Sequence, residues 1–295
     1  MNGRFLTILT AVSAAAALQA ETRVLFCADK QGPANVFDLY TVRIDGTDLR
    51  RLTQTPGVSE WAPALAPDGR RLAYVARAGT SMAGDLMLSD LEGATPVKVA
   101  TPVKVLAVQW QDDATLWYLG VAGDKWGSPL FDLRRVQADG TGEAQVYAGP
   151  FWCFSTGADS FAVHRSSQRV YFTAEPERPG EYGALPTSGP LTASAPDQVL
   201  ARCVETLYVP ITEPLVPGDL LIDHYDAAVS PDGRWIAYCA DHGSGYHRLY
   251  VRDTAGNCAT QQRLSDAFCG DPDFAPDSSF LVFTRAARST YGDGP

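Results

Sequence analysis

Three of the four histidines, His224, His242 and His247, fall close together in the chain, with Asp226 and Asp241 among them. Neutral imidazoles and carboxylates are the ligand types of a divalent metal site. Solvated or hydrogen-bonded loop residues are the plainer reading, because spacing does not show that the rings converge. A second set is acidic: Asp38, Asp85, Asp132 and Glu181 recur at one position of an internal repeat. A ring of carboxylates binds a cation or supplies a general base; at strand starts the same residues simply accept backbone hydrogen bonds. A third set is aromatic. Trp61, Trp126, Tyr225 and Tyr246 stand near loops, where rigid rings suit a protein interface or sugar stacking. Trp110, Trp117 and Trp235 stand within strand patterns and read as core. The sequence has no Gly-x-Ser-x-Gly nucleophile elbow and no Cys-x-x-Cys pair, so neither a serine hydrolase nor a structural zinc site is indicated.

What must position these residues is a repeat. Ala228-Ala-Val-Ser-Pro-Asp-Gly-Arg-Trp-Ile-Ala-Tyr-Cys239 reads as a strand, a tight turn and a second strand. Ala64 to Val75 carries the same phrase, and Asp273 to Phe283 carries a worn copy with Ser-Ser after Pro-Asp. Proline presets the first turn position and glycine takes the conformation that other residues avoid. A second phrase follows, an apolar strand ending at a turn glycine: Gly46, Gly93, Gly140, Gly189 and Gly256, spaced 47, 47, 49 and 67 residues apart. Residues 203–222 supply the excess in the last gap and read as an insertion. A short fourth segment closes each unit, as in Leu49 to Thr53 and Gln261 to Ser265.

Four short antiparallel strands at this period predict an all-β chain, a β-propeller of four-stranded blades. Six blades with incomplete first and last members is one count, the first lacking its inner strand; five blades, closed by residues 270–285 joining residues 37–53, is the other. Outer strands carry Arg50, Arg51, Lys98 and Arg263, charges that discourage edge-to-edge pairing.

Residues 1–20 read as a secretory signal peptide: a weakly positive start, an apolar alanine-rich run from Phe5 to Leu18, and a small residue, Ala20, for cleavage, with Ala17 as the alternative. Residues 21–295 are then the propeller, in the periplasm or secreted, with no later run of membrane-spanning length. The net charge of -10 and the lack of a Lys/Arg cluster argue against nucleic acid and anionic membranes. Six cysteines in an oxidising compartment allow disulfides. Cys258 and Cys269 are the first candidate pair, whereas Cys27 and Cys239 sit inside apolar strands and read as buried filler.

The pattern Ser/Ala-Pro-Asp-Gly-Arg-x-Ile/Leu-Ala-Tyr, then Leu-Tyr ending at Gly, then Arg-Leu-Thr/Ser, resembles the propeller repeats of the TolB family over most of residues 23–285. It is strong at Trp61 to Val75, Phe37 to Thr53 and Ala227 to Ser265. The resemblance implies a periplasmic, usually six-bladed docking propeller. TolB proper carries an N-terminal α/β domain before its propeller; here the propeller follows the leader directly. Similar repeats occur in oligogalacturonate lyases, which use histidines around a metal, and in peptidases whose hydrolase domain this chain lacks. By analogy with that architecture, ligands meet the face where inner strands begin and second strands end. This places Glu60, Trp61, His224, Tyr225, Asp226 and Asp271 at inner-strand openings. Asp29, Lys30, Arg77, Lys125, Trp126, Glu175, Asp241, His242 and His247 lie in the facing loops, with Tyr246 beside them. The first expectation is therefore a non-catalytic propeller with no resident cofactor, docking a protein or envelope component. The alternative is a glycan-directed, metal-dependent enzyme using His224, His242 and His247.

Overall fold

The Pro-Asp-Gly phrase folds alike wherever it occurs. Gly69 and Gly233 take φ of +69° and +73°. Their amides donate to Ala66 O and Ser230 O at 2.9 and 2.7 Å, closing the turns. Asp68 and Asp232 lock the loops by accepting the amides of Arg70 and Arg234 at 2.8 and 3.0 Å. The worn copy keeps the geometry: Ser278 replaces the glycine at φ +61°, and its amide donates to Ala275 O at 2.8 Å. Left-handed backbone at a non-glycine residue costs about 1–2 kcal/mol, so the tertiary setting enforces this turn against local preference.

The computed structural model describes residues 10–12, 22–29, 36–78, 81, 83–92, 95–125, 128–152, 161–165, 168–174, 185–191, 198–199, 222–242, 247–255, 260–265 and 269–285. The first sheet orders β1 (Thr10–Val12), β2 (Arg23–Asp29), β3 (Phe37–Arg43) and β4 (Arg50–Arg51). The second holds β5 (Val58–Leu65), β6 (Arg71–Ala78), β7 (Asp85–Asp90) and β8 (Val97–Lys98), and the third β9 (Val105–Trp110), β10 (Thr115–Lys125), β11 (Ser128–Gln137) and β12 (Ala144–Trp152). The fourth comprises β13 (Phe161–His164), β14 (Arg169–Ala174), β15 (Leu185–Pro190) and β16 (Gln198–Val199). The fifth comprises β17 (Ile222–Val229), β18 (Trp235–His242), β19 (His247–Asp253) and β20 (Gln262–Arg263), and a last sheet pairs β21 (Cys269–Phe274) with β22 (Leu281–Arg285). Each sheet runs up and down in chain order and packs on the next, which is the propeller arrangement. No α-helix occurs among the described residues.

Both faces of a sheet are buried, which explains why the strands read as near-continuous apolar runs rather than alternating ones. β18 is the clearest case. Ile236 and Tyr238 pack with Tyr171 and Tyr250 on one side, while Ala237 and Cys239 pack with Leu249 and Cys269 on the other. The largest core joins the first four sheets around Leu25, Trp61, Val75, Trp110, Trp117, Phe131 and Phe161.

Two expectations need correction. The first sheet does not lack an inner strand: Thr10–Val12 pairs antiparallel with Arg23–Leu25 in that position, inside the segment read as a leader. Cys269 is a free, buried thiol rather than half of a bridge to Cys258. Burial among apolar neighbours pushes this thiol above its ordinary pKa. Cys258 itself lies outside the described residues. Cys27 and Cys239 are buried, as their strand positions predict. Of the insertion, Ile222 opens β17 and the remainder lies outside the described residues.

Candidate functional site

The two ends of the propeller are built differently. At the end bearing the Pro-Asp-Gly turns, neighbouring sheets are stapled together. Asp113 accepts the amide of Asp68 at 2.9 Å, and the Trp110 indole donates to Ala64 O at 3.1 Å. The Arg165 guanidinium donates to Trp110 O at 3.2 Å. The fourth histidine, His164, is buried with Nε2 3.0 Å from Pro231 O, and its ring covers Gly233, where an added Cβ would come within 2.6 Å. Ser278 Oγ accepts the amide of Asp232 at 3.0 Å. These polar groups are consumed in holding sheet to sheet.

At the opposite end the inner strands share an irregularity. β5, β17 and β21 each carry a bulge at the same repeat position, between Trp61 and Ala64, Tyr225 and Ala228, and Gly270 and Asp273. Ala62 and Asp271, the first skipped residues of two of them, have φ of 48° and 51°. Such bulges re-aim the preceding residues, and they recur beside functional sites. Ahead of these bulges lie Glu60, His224 with Tyr225, and Cys269.

Beneath this end lies a charged layer. Asp38, fully buried, pairs with Arg51 of β4. Asp85 pairs with Lys98 of β8 at 3.0 Å and with Lys104, whose hydrogen bond holds the Asp85 carboxyl below the usual range. Asp132 takes Arg134 at 2.8 Å, and Arg134 reaches on to Glu143 at 2.8 Å. The recurrent acids Asp38, Asp85 and Asp132 are therefore ion-paired, with Asp38 and Asp85 at strand starts but Asp132 in the middle of β11, and Arg51 and Lys98 on the outer strands were the signal for the pairing. Glu181 lies outside the described residues. Asp271, buried, accepts from Thr284 Oγ1 at 3.0 Å.

Two expected rim residues are not at the surface. Trp61 is 1 % exposed. Its ring meets Phe37 edge-on at 4.9 Å and lies under the Arg77 guanidinium at 4.4 Å. It stands fourth in β5 rather than at the strand's opening, and Phe37 of the preceding sheet covers it. Glu60 is also buried. Tyr74 is pushed up to about 12, chiefly by burial and further by the Glu60 charge. Ser59 joins the same seam, accepting the Phe37 amide at 3.0 Å. Trp61 and Glu60 thus stand behind the end face and support it.

The other expected positions are placed by backbone alone. His224, Tyr225 and Asp226 lie on β17, Asp241 and His242 end β18, and His247 opens β19. The ladder sets Asp223, Asp241 and His247 on one rung and His224, Ala240 and Arg248 on the next, with His242 opposite Ile222. Lys125 ends β10 opposite Ser128. The side chains of these site residues, together with Trp126 and Tyr246, lie outside the described residues. Among the described residues no three His, Cys, Asp or Glu side chains form a metal-binding group.

No protein-family model matches the sequence, and no curated protein matches it. Solved structures do match. TolB from Acinetobacter baumannii superposes with a TM-score of 0.54 at 12% identity, over 79% of this chain and 49% of that one, so the chain spans about half of its length. A protein assigned as TolB from Agrobacterium tumefaciens gives 0.60 at 13%, over 89% and 87%. An oligogalacturonate lyase in complex with manganese gives 0.51 at 14%, over 97% and 80%. At these identities the likeness speaks for the fold, and in fold the protein is a TolB-like β-propeller.

Proposed function

We propose that the protein is an exported, non-catalytic propeller that docks a protein or cell-envelope component at the end where the inner strands bulge. The observation that carries this reading is the contrast in how polar groups are used. At the turn end they are spent between sheets, whereas at the bulged end the backbone brings His224, Tyr225, Asp226 and Asp241 onto the adjacent strands β17 and β18, beside the buried Glu60 and Trp61 of β5; on this reading Lys125, Trp126 and Tyr246 complete the contact surface. The TolB-like repeat and the apolar leader favour the same reading and a periplasmic or secreted location. On this reading the β21–β22 pair is the sixth wedge of the ring. Affinity capture from periplasmic extract, with and without chelator, tests it. A specific protein retained equally in both conditions, and lost on Trp126→Ala with Tyr246→Ala, supports docking.

A second reading has its own support. The rung that joins Asp223, Asp241 and His247, with His224 and His242 nearby in the ladder, places metal-type residues on adjacent strands. A metal-dependent, carbohydrate-active enzyme using His224, His242 and His247 would bind manganese or zinc stoichiometrically and cleave a glycan. It would lose both on His247→Ala. Metal-free protein with no glycan cleavage removes this reading.

A further inference from the structure

The inner strand of the first sheet comes from an unexpected place. Thr10, Ala11 and Val12 pair with Leu25, Val24 and Arg23, and β1 lies against β5 on one side and β21 on the other. The ring therefore passes from its last sheet to its first through three residues that the sequence assigns to a cleavable leader. Removal of residues 1–20 uncovers the backbone groups of Arg23–Leu25 along an inward-facing edge. That edge carries none of the usual guards against strand pairing, since Val24-Leu25-Phe26-Cys27-Ala28 has no lysine and no proline. Arg23, at its end, is already committed: its guanidinium donates to Asp48 Oδ2 at 2.8 Å and to Asp48 O at 2.6 Å. An apolar edge flanked by two inner strands selects an extended, uncharged segment.

We propose that, in the processed protein, this position is a slot that accepts an extended segment of a partner protein by strand addition. The segment runs antiparallel to β2, and its residues are small and β-branched, as Thr10-Ala-Val12 are. Main-chain hydrogen bonds to Arg23 and Leu25 supply the affinity, and the apolar surroundings of this edge disfavour charged side chains. The leader occupies the slot until it is removed, so export and competence to bind are coupled. The proposal rests on the docking reading and specifies the contact.

The test uses a fluorescein-labelled peptide of residues Leu6–Ala14. It is titrated into chain 21–295, into chain 1–295, and into chain 1–295 carrying Thr10→Pro, Ala11→Pro and Val12→Pro, which cannot form β1. Saturable binding is expected to chain 21–295 and to the proline chain, with new amide-exchange protection at Arg23 and Leu25, whose backbone groups face away from β3. Binding to unmodified chain 1–295 is expected to be about a hundredfold weaker, since a tethered competitor acts at roughly millimolar effective concentration. The same peptide with aspartate in place of Ala11 is expected not to bind. Equal binding to all three chains, or no binding to folded chain 21–295, overturns the proposal. So does loss of near-ultraviolet dichroism in both chain 21–295 and the proline chain, because the strand is then a permanent part of the fold. A captured partner that withstands saturating peptide removes the slot but leaves the docking reading; peptide binding without any captured partner does the reverse.

Discussion

The turn end and the bulged end of this propeller are made from the same repeat, yet they use it differently. At the turn end, Asp68, Asp113, His164, Asp232 and Ser278 are tied into hydrogen bonds from one sheet to the next. At the other end the inner strands break register at a shared position, and acids sit over basic partners on the outer strands. On the proposed docking reading, one end carries stability and the other carries contacts. Substitutions at the turn end are expected to change melting and leave partner capture per folded molecule intact; substitutions among the loops of the bulged end are expected to do the opposite.

The largest effect is expected at Trp110. Trp110→Ala empties a buried indole site and breaks the bond to Ala64 O, at about 3–5 kcal/mol of unfolding free energy in urea titration. A loss under 1 kcal/mol would mean that the turn-end staples are incidental. Gly233→Ala comes next, at about 2–3 kcal/mol, because it combines positive φ with a clash against the His164 ring. Gly57→Ala has a similar φ of +70° but nothing within 4 Å of the added carbon, and isolates the backbone share at about 1 kcal/mol. If the two variants melt together, His164 is not a staple.

Asp38→Asn and Asp85→Asn divide the charged layer. Asp38 is fully buried against Arg51, so its loss is expected to cost about 2–3 kcal/mol, with Arg51 a third exposed and partly relieved by water. Asp85 and its lysine partners are largely solvated, and about 0–1 kcal/mol is expected.

The smallest effects appear in pH. Tyr238 is raised to about 12 by burial. It stays protonated in the fold while the unfolded chain ionises near 10, so stability declines between about pH 10 and 12 and Tyr238→Phe flattens that decline. Asp48 is lowered to about 2, first by its hydrogen bond to Arg50 and then by that to Arg23. Its contribution is complete above about pH 4 and fades as pH falls toward 2, so Asp48→Asn differs from the parent chain at pH 6 and converges with it at pH 2.

What could be read from the residues was local. The Pro-Asp-Gly hairpins announce themselves because each turn is decided within about four residues. Even Ser278 was recognisable from its neighbours. What could not be read was decided by distant partners. Trp61 looks like a rim residue until Phe37, in another sheet, closes over it. The recurrent acids and the outer-strand Arg51 and Lys98 were each visible but their pairing was not, because they meet only across the β3–β4 and β7–β8 pairs. The bulges left almost no trace: Ala62 has no feature that marks a left-handed residue, and Asp271 alone is of a type that tolerates one. Pairing Cys258 with Cys269 rested on their flanking one outer strand, which does not fix where either side chain stands.

Among the described residues the last sheet is the thinnest: β21 and β22 form a two-stranded ribbon in which Leu281, Val282 and Phe283 are only half-buried. A closed circle of wedges shares a load around its circumference, but a circle with one slender wedge has a seam. Heat, force or a protease will find that seam first, and the other sheets will then come apart in sequence from it, as a row of stacked repeats does once its cap is gone.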